Sequence, residues 1–335
     1  IWTGETFSGE YIQRMGVEGN IGQMLLALAF TKPGTPGRQF RVPTAADLDA
    51  IEAADTELAK RRQAWEISEL LPTEAIDSIS NYDRGHRMYG ITQWSEFFTK
   101  RQLLTTVTAL EELQALVATA RAELGEAEAR GLGLYLAMAL DKAINFNGVQ
   151  SSWISSQMKI RSTFDRHNFA YKWSFAEFDG AHSLFPWAVS QIVDAYGGIA
   201  KLVYQPELLG VEERRAEASV VRGSAADLPL ADSSVDAVVT DPPYYDNVMY
   251  AECSDYFYVW LKRSLKNTWP QFTDLVLTDK QGEAVANPAL FKDVAVTAKR
   301  ARQDGTLGKT AAVLADERYE RLLTASFREA HRVLK

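Results

Sequence analysis

The chain reads as an α/β protein, with a largely helical first half and a parallel-sheet pattern in its last third. Three observations predict this. Apolar residues recur at spacings of three and four through residues 94–146. From residue 217 short β-branched runs alternate with turn signals and a helical stretch, the order of a parallel α/β unit. The second of those runs, Val235 to Thr240, ends in Asp241-Pro242-Pro243-Tyr244. An acid, two prolines and an aromatic ring do little for a strand, but ligands in such sheets sit at the carboxyl ends of strands.

Taken in order, residues 21–30 predict a buried strand, Pro33 to Gly37 a turn, and Gln39 to Val42 a returning strand. Thr44 is placed to cap a helix over about 45–63 that carries Leu48, Ile51 and Leu58. Residues 68–92 carry mixed polar and turn signals and predict irregular chain. Helices follow over about 94–120 and 121–146. Leu103, Leu104, Val107, Leu110, Leu113 and Leu116 define the first, and the run from Leu132 through Tyr135, Leu136, Met138 and Ala139 the second. Residues 151–180 are dense in aromatics, suiting either a core wedge between domains or a wall of a nucleotide groove. A helix over 184–203 comes next, with Gly197-Gly198 as a helix-end or turn signal. Ala218 to Arg222 predicts a strand ending in the turn Gly223-Ser224-Ala225, and Tyr250 to about Lys266 a helix. The expected organisation is a mainly helical domain at 1–150 with one small hairpin, a connecting aromatic and basic segment at 151–210, and an α/β part at 211–335.

Composition narrows the function classes. With 335 residues, 46% hydrophobic and 24% charged, the chain is of ordinary globular type. Its apolar runs are too short to cross a bilayer. The first residues show no secretory pattern, and both ends read as cuts within a longer protein. Cys253 is the lone cysteine and the four histidines lack metal-ligand spacing, so no metal is expected and a reducing, cytoplasmic setting is the default. No phosphate-binding Gly-x4-Gly-Lys-Ser/Thr loop occurs. The net charge of −8 argues against a uniformly basic coat but leaves room for local patches. Lys159, Arg161, Arg166, His167 and Lys172 alternate with Phe164, Phe169, Tyr171 and Trp173, a pattern that would neutralise and stack on a nucleic-acid strand. Lys262, Arg263 and Lys266 form a second basic group, and Lys299, Arg300 and Arg302 a third; each also fits a solvated face.

The tetrapeptide has its own chemistry. Two adjacent prolines fix φ twice and remove two backbone donors, and Asp241, preceding a proline, is pushed towards extended geometry. The result is a stiff hook that accepts hydrogen bonds and offers few. The exocyclic amine of a base has hydrogens to give. Asp241 and the Pro242 carbonyl can each take one, which turns the nitrogen lone pair towards an electrophile. Tyr244 can stack on the base, worth about 1–3 kcal/mol.

Asp-Pro-Pro-Tyr after a β-branched strand resembles motif IV of the amino-methyltransferases. The wider stretch from Val235 to Arg263 resembles the DUF1156-type family of large adenine-specific DNA methylases. Phe98 to Leu104, the Gly223-Ser224-Ala225 turn and the closing Arg332 to Lys335 match as well. The resemblance implies part of a class I, Rossmann-like fold dependent on S-adenosylmethionine, with a largely helical N-terminal or inserted domain that touches DNA. Further subunits of a modification or phage-defence system are possible partners. It implies Asp241, Pro242, Pro243 and Tyr244 as the amino-group and base site, and Gly223, Ser224 and Ala225 as cofactor contacts. Ser224 stands where many methyltransferases carry an acid. Tyr245 and Asn247 would contact base or cofactor, or serve only to stabilise the loop, and Lys159, Arg161 and Arg166 would contact DNA. The family's glycine-rich cofactor loop is absent. The only Gly-x-Gly, Gly131-Leu132-Gly133, falls in a helical pattern. The expectation is therefore an N6-adenine DNA methyltransferase, or a piece of one that binds cofactor weakly by itself. N4-cytosine or RNA amino groups are the nearest alternative, and a non-catalytic nucleic-acid-binding or scaffold subunit the next.

Overall fold

The computed structural model describes residues 7–76, 86–169, 172–203, 218–293 and 309–335. Within them the protein is mixed α/β, with seven α-helices and two small two-stranded sheets. In order these are α1 (Gly9–Val17), β1 (Leu28–Thr31), β2 (Arg38–Arg41), α2 (Ala45–Ile67), α3 (Lys100–Glu123), α4 (Glu126–Ile144), β3 (Ser152–Ile154), β4 (Lys159–Arg161), α5 (Leu184–Val203), α6 (Tyr250–Leu265) and α7 (Ala311–Val333). The chain divides into two compact units. The first comprises Ile1–Ile76, Tyr82–Ala195 and Asp255–Leu277, and the second Asp77–Asn81, Tyr196–Ser254 and Thr278–Lys335.

Unit one is organised around α3. Thr99 and Gln102 cap it reciprocally: the Thr99 N–H donates to Gln102 Oε1 at 2.8 Å and the Gln102 N–H to Thr99 Oγ1 at 3.2 Å. Leu103, Val107, Leu110, Leu113 and Val117 then fall on one buried face. Helix α4 meets it with small residues, Ala129, Gly133 and Ala137, all buried. A Cβ on Gly133 would lie 3.3 Å from the Val117 side chain, so the helices approach closely because that residue is glycine. Of the apolar run that marks this helix, Ala139 is buried and Leu136 packs against the core, while Leu132, Tyr135 and Met138 are exposed. Helix α2 begins at Thr44 as expected and runs further than expected, to Ile67. This brings Trp65 into the core, where its indole N–H donates to Glu111 at 2.7 Å. Helix α6 contributes Tyr256, Val259 and Trp260 to the same core, with Phe97, Phe98 and Phe169 packed around them.

The second basic group of the sequence is largely structural. Arg263 is buried. It donates to Glu74 at 2.8 Å, to the Leu71 carbonyl at 3.0 Å and to the Val259 carbonyl at 2.6 Å. Lys262 reaches the same Glu74 carboxylate at 2.5 Å. Burial pulls the Glu74 carboxyl upward, but the two cations outweigh it and hold its pKa below the usual range. Lys299, Arg300 and Arg302 lie outside the described residues, as does Tyr171.

Three predicted strands are corrected. Residues 21–27 carry no regular structure and β1 starts only at Leu28. Ala218 to Arg222 forms no ladder, and Val220 is 97% exposed. Of Val235 to Thr240, only Val235 pairs, in a single parallel bridge to Leu334; Val239 is 94% exposed. β-branched runs become strands where a neighbour offers ladder partners and a face to pack on, and the described residues provide neither here. Gly197-Gly198 also does not end its helix, because α5 continues to Val203.

Unit two is built on α7. Arg332 near its end donates to the carbonyls of Leu228 at 3.1 Å and Leu230 at 2.9 Å, and pairs with Asp232 and Glu329. The Arg332 hydrogen bond lowers the pKa of Glu329 to about 2. The N–H groups of Ser233, Ser234 and Val235 donate to the carbonyls of Arg332 and Val333, and Lys335 N–H closes the rung on the Val235 carbonyl at 3.1 Å. The buried Arg318 donates to the carbonyls of Glu283 and Gln281.

Two outcomes follow for stability. Removing one partner of the buried pair with Glu74→Ala should cost about 3 kcal/mol by urea unfolding. Because the folded pKa of Glu74 is depressed, its contribution is full at neutral pH and is lost as pH falls through that depressed value. Asp141 behaves oppositely. Its residue is only partly covered, yet Oδ1 is shut off from solvent with no partner among the described residues, and burial raises its pKa. Stability is therefore lost as pH rises from the ordinary carboxylate value towards that raised one, and the full cost is present above it. Asp141→Asn should therefore raise the thermal midpoint at pH 7 and leave it nearly unchanged at pH 3.

Candidate active site

The hook forms by a sharp turn after the two prolines. Tyr245 N–H donates to the Pro243 carbonyl at 3.1 Å and Asn247 N–H to the Tyr244 carbonyl at 3.0 Å. Tyr245 has φ of 53°, a left-handed conformation that costs a non-glycine residue about 1–3 kcal/mol. Unit two holds it there from several sides. The Tyr245 hydroxyl donates to Asp316, its ring packs edge-on against Tyr319 at 5.4 Å, and its carbonyl accepts from Ala286 N–H at 3.0 Å. The Tyr319 hydroxyl donates to the Pro243 carbonyl at 3.0 Å. Asp316 and Tyr319 lie three residues apart on α7, so one helix face grips the hook. Just beyond, Val248 and Met249 are buried and anchor the start of α6.

These contacts decide which acceptors remain. The Pro243 carbonyl is taken by Tyr319, and no described residue donates to the Pro242 carbonyl. Asp241 is exposed, and one carboxylate oxygen, Oδ1, accepts the Tyr244 hydroxyl at 2.9 Å. Among the described residues nothing donates to Asp241 Oδ2 or to the Pro242 carbonyl, which makes them candidate acceptors for an incoming amine. Tyr244 is 60% exposed, its ring available for stacking. The hydrogen bond to Asp241, then the carboxylate charge, raises the phenol pKa of Tyr244. Hydrogen bonding to Asp316 does the same for Tyr245. Tyr245 thus holds the loop through its backbone, ring and hydroxyl, while Asn247 contributes a turn N–H and an exposed side chain.

The other predicted residues fall elsewhere. Gly223, Ser224 and Ala225 form an exposed turn in which Ser224 Oγ accepts from Ala226 N–H at 3.2 Å. A Cβ on Gly223 would meet nothing within 4 Å, so the backbone of the turn is open on that side, and the Ser224 O–H keeps its donor. Lys159, Arg161 and Arg166 belong to unit one and are exposed; Arg161 pairs with Asp165 at 2.7 Å. Of the aromatics beside them, Phe164 and Phe169 pack in the core of unit one, whereas Trp173 is exposed. Among the described residues no group of three or more His, Cys, Asp or Glu side chains is placed to hold a metal ion, and no helix is long and apolar enough to cross a membrane. Asp316 and Tyr319 were not foreseeable from the sequence, where each looks like an ordinary polar position of an amphipathic helix.

The Tyr244–Asp241 bond has a direct readout. Asp241→Ala should lower the phenol pKa of Tyr244 towards the ordinary tyrosine value, and NMR titration of a ring-labelled sample would show it. An unmoved titration would place the Tyr244 hydroxyl elsewhere in solution.

No family model, curated protein or solved structure matches the chain, so the chemistry of the hook has to be read from its own geometry.

Proposed function

We propose that this chain carries the amino-acceptor side of a DNA amino-methyltransferase, with N6 of adenine as its target. The observation that carries the reading is the pair of open acceptors, Asp241 Oδ2 and the Pro242 carbonyl, on a hook whose third acceptor, the Pro243 carbonyl, is already taken by Tyr319. An exocyclic amine donating both hydrogens to this pair would be held with its lone pair pointing away from the hook. The prolines bring no N–H of their own to compete for those acceptors. Tyr244 would stack on the base, which must leave the duplex to reach the hook, at a cost of a few kcal/mol. A resident methyl donor, expected to be S-adenosylmethionine, would supply the transferred group. The residues of the hook bind and orient the amine.

In the intact protein, incubated with S-adenosylmethionine and duplex DNA, Asp241→Ala should abolish nucleoside methylation measured by mass spectrometry. Tyr244→Ala should cost about ten- to a hundredfold through lost stacking. Tyr244→Phe keeps the ring and releases Asp241, so it should retain activity within about tenfold of wild type, since only one hydrogen bond is lost. Wild-type rates in both alanine variants would refute the assignment. The modified nucleoside identifies the target: N6-methyladenine is expected, and N4-methylcytosine or a methylated RNA base would move the same hook to another substrate.

The closed Tyr244–Asp241 contact and the open Gly223 turn favour a second reading, a non-catalytic nucleic-acid-binding subunit. Methylation lost in Asp241→Ala would exclude it.

A further inference from the structure

The two small sheets of unit one are joined side chain to side chain. Phe40 of β2 meets Trp153 of β3 edge-on at 5.9 Å, and the Arg38 guanidinium lies over the same indole at 5.7 Å. Both sheets are antiparallel ribbons with defined register. Thr31 pairs with Arg38 and Ala29 with Phe40 in the first, and Ile154 with Lys159 in the second. The first ribbon is tied down by Asp47, which accepts two hydrogen bonds from Arg41, at 2.6 and 2.8 Å, and a third from Thr44 N–H at the start of α2.

Charge along these ribbons is one-sided, although the whole chain is net −8. Residues 19–46 hold Lys32, Arg38 and Arg41 and no carboxylate. Residues 151–176 hold Lys159, Arg161, Arg166 and Lys172 against Asp165 alone. Arg41 and Arg161 are matched by Asp47 and Asp165. Lys32, Arg38, Lys159 and Arg166 are exposed and make no ion pair among the described residues. Lys172 is less exposed. Burial first, and the nearby Arg161 and Arg166 charges after it, lower its pKa despite Asp165, so the cations of this segment are close enough to repel one another. The rings at the joint are engaged with each other and with Arg38. What the surface offers outward is cations on two ribbons, which suits phosphates better than unstacked bases.

We propose that the β1–β2 and β3–β4 ribbons form one composite surface for the phosphate backbone of duplex DNA, with Lys32 and Arg38 contacting it from one ribbon and Lys159 and Arg166 from the other. A two-stranded ribbon fits the major groove, about 12 Å wide, and cations flanking it position the duplex without reading its sequence. The choice of DNA rests on the proposed action of the hook; the surface itself rests on the joint and the charge.

The test measures binding of the 335-residue chain to a labelled duplex of about 30 base pairs by fluorescence anisotropy across a salt series. Lys32→Ala on one ribbon and Lys159→Ala on the other should each weaken binding about three- to tenfold and each lower the salt slope by about 1. Both lysines are exposed, and an unchanged thermal midpoint should accompany both variants. Trp153→Ala, which removes no charge, should weaken binding by separating the ribbons; an unchanged affinity in a folded Trp153→Ala overturns the composite surface. Duplex binding that ignores either lysine overturns it too, as does tighter binding of a single strand of the same length. Methyl transfer in Asp241→Ala is read in a separate assay, so the surface can fail while the hook stands, and the reverse.

Discussion

Two prolines in a row cannot donate a backbone hydrogen bond, and unit two is arranged around that deficit. A hook made of Pro242 and Pro243 gains no support from a ladder on its nitrogen side. Its support has to come from donors brought to its carbonyls, and from packing on the residue that follows. Tyr319 supplies the first to Pro243, and Tyr245 provides the second through its bonds to Asp316 and Ala286. Those partners sit on α7 and on the segment before it, and Arg332 secures α7 to residues 228–232. The backbone conformation of Tyr245, unfavourable in isolation, is stable because these contacts over-determine it.

Unit one solves a different problem, that of burying charge. Arg263 is inaccessible to solvent, and its cost is offset only because Glu74 and two carbonyls meet it with good geometry. The same arrangement links the chain after α2 to α6 and fixes the depth at which Tyr256 and Trp260 enter the core. Asp141 has no partner for its buried Oδ1 among the described residues, and burial raises its pKa.

Helices α2 to α6 were legible in the sequence because their signals are local, whereas α1 and α7 were not anticipated. Thr44 announces one start, and spacings of three and four carry the faces, but α3 begins after Thr99 and not at the expected Trp94. Helix α4 shows the limit of that logic. Its apolar run marks a helix but not the face that packs on α3, which is formed by the small residues Ala129, Gly133 and Ala137. The strands at 21–27, 218–222 and 236–240 failed because strand formation depends on partners that a local run does not encode. The hook was legible by composition alone, since an acid, two prolines and a tyrosine have few structural uses together. Its supports were not, because Asp316 lies 71 residues from Tyr245 and Tyr319 lies 76 residues from Pro243.

Those separations carry a consequence for the order of assembly. The parallel rung between Val235 and Leu334 is equally remote in sequence, and Lys335 pairs with Asp236 across 99 residues. Closing such loops costs entropy before any contact repays it. Helices α2, α3 and α4 follow one another closely in sequence and pack together without such a closure, so they can organise early. During synthesis the hook leaves the ribosome well before α7 does, and it remains an unsupported proline-rich turn until that helix docks. The acceptor geometry is therefore a late product of folding, set by α7 and not by the four residues that display it.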